Sequence, residues 1–277
     1  MLSRVAHERG WEALQPCDIS LGDDGLDLST RIGQRALEEQ IRLYRPDFVC
    51  WAPPCSDYSP LQNILPRDPT KRAQRLTRLI KSRKLSSQLW QFCVRIIRRD
   101  VRGNETPSRI HLVENPWTSK AWDLFQVPGF RARVDQCRFG LKVHHSSRLR
   151  VMKPTRLQCT DQTVSQLLEA TCCCDPKVPD HIISGDKIGG RWLARAKRFG
   201  SWPRAFCVHI LSAVEQVLGQ VHEAHLLDAY QEDALDSQDE VHEQESDTPV
   251  RSAAPGRREA GDCRGRQDHS VRNLRSC

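Results

Sequence analysis

The order of apolar and polar positions predicts alternating helices and strands along most of the chain. Leu2 to Trp11 has helical spacing, and "EALQPCDIS" reads as a short strand ending at Asp18. A Gly- and Asp-rich loop, "LGDDGLDLS", follows. In "TRIGQRALEEQIRLY" Ile32, Leu37, Ile41 and Leu43 recur at roughly helical intervals. "RPDFVCWAPPC" is a buried strand with Pro46 as the breaker before it. Arg67 to Arg102 is a long helix, most apolar over "LWQFCVRII", and Trp90, Phe92, Ile96 and Ile97 are assigned to the core. "RIHLVENPW" is a further strand.

Beyond Trp117 the rhythm changes. "ARVDQCRFGL" and "RLRVMKPTRLQCT", joined by "KVHHSS", read as an antiparallel pair. "TVSQLLEATCCC" is a short helix, and "FGSWPRAFCVHILSAVEQVLGQVHEAHLLDAY" is a final amphipathic helix. The fold class is α/β, with a mostly parallel sheet that carries an antiparallel hairpin. The division is a core over 1–160, a helical Cys-rich part over 161–230 packing on it, and a tail over 231–277. That tail is polar, charged and aromatic-free, so it is expected to be disordered.

Composition narrows the class. The 277 residues are 38% hydrophobic and 28% charged, and mean hydropathy is −0.59. No apolar run reaches the roughly 18 residues of a membrane span, and the N-terminus lacks the apolar stretch of a secretory signal. The expectation is an intracellular chain whose 12 cysteines are thiols, metal ligands or catalytic groups. The net charge of +7 is concentrated in the long helix, where Arg75, Arg78 and Lys81 are candidates to face a polyanion. The same run also suits an ordinary solvated face.

Candidate chemistry falls at predicted strand ends, where open parallel sheets bind ligands. Asp18 ends one strand, Cys55 follows another, and Glu114 with Asn115 closes a third. A rigidly held cysteine and a carboxyl group in one crevice supply a nucleophile and an acid, although a Pro-Pro-Cys loop is also a common structural turn. Cys172, Cys174 and His181 are weak candidates for a structural zinc, because thiolates and imidazole suit that metal but their spacing matches no finger.

"APPCS" at Ala52–Ser56 and "VENP" at Val113–Pro116 together resemble the paired signature of DNA cytosine-5 methyltransferases. More closely, "PDFVCWAPPCS", "HLVENPW", "DQCRFGL" and "KPTRLQCT" are similar in phrasing to methyltransferase-like segments of retrotransposon polyproteins. The resemblance spans about Met1 to Thr160. It implies a Rossmann-like, S-adenosylmethionine-dependent enzyme acting on DNA in the nucleus, of mobile-element origin. By that resemblance Cys55 adds to cytosine C6, Glu114 holds and protonates N3, and Asn115 positions both. Asp18, Asp27, Pro53 and Pro54 bind the cofactor, and Arg138 or Arg156 supplies positive charge beside the base. Ser56 stands where the family has Gln, and Pro116 where it has Val. The family's first strand and glycine-rich cofactor loop are expected to be missing ahead of "MLSRVAHERG". The alternative is a non-catalytic nucleic-acid-binding module of a retrotransposon polyprotein.

Overall fold

The computed structural model describes residues 1–14, 16–17, 26–63, 65–102, 109–142, 150–172, 186–188, 191–193 and 202–220. Helix α1 spans Leu2–Glu8, α2 Arg31–Tyr44, strand β1 Phe48–Trp51, α3 Pro69–Val101 and β2 Ile110–Pro116. After α4 (Ala121–Phe125) come β3 (Phe130–Asp135), β4 (Pro154–Cys159) and α5 (Gln162–Leu168). A small antiparallel pair joins β5 (Asp186–Ile188) to β6 (Arg191–Leu193), and α6 occupies residues 204–220.

The main sheet has four strands in the order β1-β2-β4-β3. β1 and β2 are parallel, with Phe48 opposite Ile110 and Trp51 opposite Val113. β4 runs antiparallel to both β2 and β3. The sheet is therefore mixed, which corrects the expected mostly parallel one. The cause is the hairpin: β4 inserts between β2 and β3, so two of the three pairings become antiparallel. The direction of β3 still agrees with β1 and β2. The ends of all three, and the start of β4, consequently share one edge of the sheet.

Both faces of this mixed sheet are covered by helices. Alternation along the strands sorts the side chains. Trp51 and Val113 join Ile41, Trp90, Phe92, Ile96, Ile97 and Trp122 on the side of α2, α3 and α4. Ile110, Leu112, Val134 and Leu157 join Val164, Leu168, Phe206, Ile210 and Val214 on the side of α5 and α6. α1 packs Val5 and Ala6 against Cys207 and Leu211 of α6, where Arg9 and Trp11 both donate to Glu215.

Local chemistry starts the helices where the pattern places them. Asp68 caps α3 by accepting from the Lys71 amide at 2.7 Å, with Pro69 just inside. Thr30 caps α2 by accepting from Gly33 N–H at 3.0 Å. A Cβ on Gly33 would lie 2.1 Å from the Asp27 carbonyl oxygen, so this turn admits only glycine. The described part of the segment expected to be the strand before Asp18 has no strand. Asp18 itself, His144, His145 and the tail from Gln231 lie outside the described residues.

Candidate functional site

β1 ends at Trp51, and Ala52-Pro53-Pro54-Cys55 carries the chain over the sheet edge into a single 3₁₀ turn, Ser56–Tyr58. Two prolines leave this loop without amide donors at those positions, so its carbonyls are the groups available for anchoring. Both are used. Asn115 Nδ2 donates to the Pro53 carbonyl at 2.9 Å, and Trp90 Nε1 donates to that of Pro54 at 3.1 Å. The first bond ties the end of β2 to the cysteine loop, and the second ties α3 to it.

Just past Cys55 the turn is clamped onto α3. The buried Asp57 carboxylate accepts from Ser82 Oγ at 2.7 Å and from Ser86 Oγ. Arg83 Nε donates to the Asp57 carbonyl at 3.1 Å, and Tyr58 Oη lies 2.8 Å from Ser87 Oγ. Cys55 is exposed on this braced turn. Partial desolvation raises its thiol above the ordinary range, and the Glu114 charge adds to the rise while Lys153 opposes it. Cys55 therefore rests as a thiol near neutrality, and a cation or a proton acceptor is needed to form the nucleophilic thiolate.

Glu114 is buried in β2 directly before Asn115. Burial raises its carboxyl, and Lys153 lowers it. Among the described residues its Oε1 accepts no hydrogen bond, and the Lys153 ammonium stands 3.9 Å away. Asn115 Oδ1 and Gln136 Oε1 are likewise buried without hydrogen-bond partners among the described residues. Gln136 follows β3 at the same sheet edge, where its Nε2 donates to Thr155 Oγ1 at 2.9 Å and its amide to the Lys153 carbonyl at 3.2 Å. Buried acceptors normally have partners. Three acceptors without a hydrogen bond among the described residues, contributed by β2 and by the turn after β3, with Lys153 beside one of them, mark this edge as suited to a ligand rich in N–H groups.

The expected site residues divide. Cys55, Glu114 and Asn115 come to one edge, linked through the Asn115–Pro53 bond. Asp27 closes the turn into α2, where its carboxylate accepts from Ser29 N–H at 2.9 Å. Pro53 and Pro54 serve as loop anchors, and Asp18 lies outside the described residues. Arg156 hydrogen-bonds Gln158 at 2.8 Å and lies 4.6 Å over the Trp122 ring. Arg138 donates to the Thr171 carbonyl. The cation beside Glu114 is instead Lys153, three residues before Arg156. Arg75 donates to Gln62 Oε1 at 3.3 Å, while Arg78 and Lys81 are exposed.

Lys153 and Gln136 are the side chains that linear reading missed. Each immediately flanks a hairpin strand, and the strand register alone brings them to this edge. The Cys172 amide donates to Asp135 Oδ2, and Cys174 and His181 lie outside the described residues. Among the described residues no three His, Cys, Asp or Glu side chains cluster to hold a metal, and no helix is long and apolar enough to cross a membrane. No family model, curated protein or solved structure matches the chain.

Proposed function

We propose that this chain is a Rossmann-like, DNA cytosine-5 methyltransferase-like protein, with Cys55 as the nucleophile and Glu114 as its acid. The observation that carries this reading is the 2.9 Å bond from Asn115 Nδ2 to the Pro53 carbonyl. It joins the Pro-Cys and Glu-Asn segments, 62 residues apart, into one site at the end of a parallel strand pair.

In this mechanism the target base leaves the stack to reach the edge. Glu114, held toward its protonated form by burial, donates to N3, which makes C6 electrophilic. The Cys55 thiol gives its proton to water, the Lys153 ammonium favouring the thiolate, and the thiolate sulfur forms the bond to C6. The electron pair moves into the C5–C4 enamine, and C5 becomes the carbon that takes an electrophile. Asn115 and Asp57 act by holding the loop. S-adenosylmethionine is the methyl donor implied by this reading, and the described residues alone do not account for its binding.

Two assays test the two halves separately. Reversible addition at C6 lets C5 exchange its hydrogen with water, so DNA carrying tritium at cytosine C5 is expected to release label without any donor. That release should disappear in Cys55→Ala and in Glu114→Gln. With S-adenosylmethionine present, DNA containing 5-fluorocytosine should become covalently attached, because fluorine blocks the final elimination. Exchange without trapping would retain the nucleophile and remove the donor. Neither signal, with DNA still bound, would favour the non-catalytic nucleic-acid-binding module, which the acid-poor surface of α3 also supports.

A further inference from the structure

Helix α3 carries a second feature that the Cys55 edge does not use. Residues 81, 84, 88, 91, 95, 98 and 102 recur at spacings of three and four, which places them on one helical face. They are Lys81, Lys84, Gln88, Gln91, Arg95, Arg98 and Arg102, and all are exposed. The opposite face carries Leu79, Ser86, Trp90, Cys93 and Ile97, all buried. From Lys81 to Arg102 the stripe runs about 32 Å at 1.5 Å per residue, with no acid on it.

The C-terminal part of the stripe lines a groove of about 810 Å³, whose walls are Arg95, Arg98, Arg99 and Arg102 on α3 and Leu124 and Gln126 at the end of α4. Its arginines are only partly engaged. Arg95 pairs with Glu38 at 2.8 Å, Arg99 pairs with Asp100 at 3.2 Å, and Arg98 donates to the Gln126 carbonyl at 3.3 Å. The Arg102 side chain has no partner among the described residues. Ser82, Arg83, Ser86, Ser87 and Trp90 are the α3 residues bonded to the cysteine loop and its turn. The groove begins at Gln91, just past them, and runs toward Asp100, which pairs with Arg109 at the start of β2. Its Arg98 and Arg102 therefore lie toward the end of α3 away from Cys55.

We infer that this stripe and groove form a second nucleic-acid contact, which holds the phosphate backbone away from the Cys55 edge. Regularly spaced donors on a straight helix match a polymer with regularly spaced charges, and guanidinium groups bind phosphate oxygens in pairs. Stripe positions from Lys81 to Arg102 include no apolar side chain, and the apolar surface of the groove is confined to its wall at Val94, Ile96, Leu124 and Phe125. Phe125 stacks one face on Trp90 at 5.3 Å between ring centroids and meets Tyr58 edge-on at 5.5 Å, so its ring is engaged inside the protein on two sides. The contact is consequently to backbone and indifferent to sequence. The inference rests on the nucleic-acid reading only for the kind of ligand, and it is measured as binding without catalysis, so the two fail separately.

The test uses the full chain and a fluorescein-labelled duplex of random sequence, with affinity measured across a salt series. Removing two phosphate contacts in R98Q/R102Q should flatten the slope of log Kd on log salt by about two, since each contact contributes about 0.9. Affinity at low salt should fall on the order of tenfold, and R98K/R102K should keep the wild-type slope. Independently, bound duplex should protect Arg98 and Arg102 of the wild-type chain from phenylglyoxal, read by peptide mass spectrometry. Unchanged slope and affinity in R98Q/R102Q would overturn the inference. So would absence of protection, or displacement of the duplex from these arginines by a polyglutamate peptide at equal charge.

Discussion

Glu114 occupies a strand position that alternation assigns to the same face as Leu112, and it brings a carboxyl group into a buried place. Its raised pKa has a consequence for stability. An acid raised in the folded state leaves stability intact below its unfolded pKa and costs stability as pH climbs through the folded one. Glu114→Gln should therefore match the wild type in Tm near pH 4 and exceed it at pH 7, a difference that calorimetry at the two pH values reads directly. A lower Tm at pH 7 would mean that Lys153 more than offsets the burial. Asn115 works differently, because its side-chain amide holds the loop rather than charge. Asn115→Ala should lose about 1 kcal/mol, seen in the urea midpoint. It should also speed alkylation of Cys55, followed on its own peptide by mass spectrometry, as the loop loosens.

At the scale of elements, α3 has two roles along one length. Its second half is a core helix, and the apolar run from Leu89 to Ile97 announces this in the sequence. Basic residues run along its whole length, and in the middle, at Ser82 and Ser86, the Asp57 clamp decides how the helix meets the cysteine loop. Asp57→Ala strips two serine hydroxyls of their acceptor, one of them on buried Ser86. The expected cost is about 1–3 kcal/mol, measured by urea unfolding. If Asp57 positions Cys55, tritium release should fall in Asp57→Ala while duplex affinity stays unchanged. Equal loss of both would assign Asp57 to general stability. The basic residues visible in the sequence did not by themselves select a face: Arg78 and Arg98 are 20 positions apart and project from nearly opposite sides of the helix, whereas Lys84 and Arg102 share one.

The molecule as a whole is keyed at the far edge of the sheet by a buried polar cluster. Trp51 Nε1 donates to His111 Nδ1 at 3.1 Å, which puts the imidazole proton on Nε2, 3.1 Å from Asp100 Oδ2. Arg109 Nε lies 2.9 Å from the same carboxylate oxygen. Burial drops His111 to about 4 in spite of Asp100. A base depressed in the folded state holds its full contribution above the unfolded value near 6.5 and loses it as pH falls toward the folded one. Wild-type stability should decline between pH 6.5 and 4 by on the order of 3 kcal/mol, and His111→Gln should flatten that decline in urea titrations. The Glu114 and His111 contributions run in opposite directions with pH, so each variant is to be compared with wild type at matched pH.

Much of this was legible along the chain. β1, β2, the hairpin strands and the helices α1, α2, α3 and α5 follow from apolar spacing and from prolines and caps, which act over a few residues. Cys55, Glu114 and Asn115 stand at strand ends for the same local reason. What only the tertiary structure decided is set by register between distant strands. Glu114 lies opposite Leu157 and Asn115 opposite Arg156, so β4 starts beside the site and presents Lys153, while β3 ends there and presents Gln136. No local periodicity encodes which residues 40 positions apart become neighbours. The insertion of β4 between β2 and β3, the placing of Lys153 beside Glu114, and the cationic face of α3 therefore emerge only when the sheet is assembled and its helices bury their apolar sides.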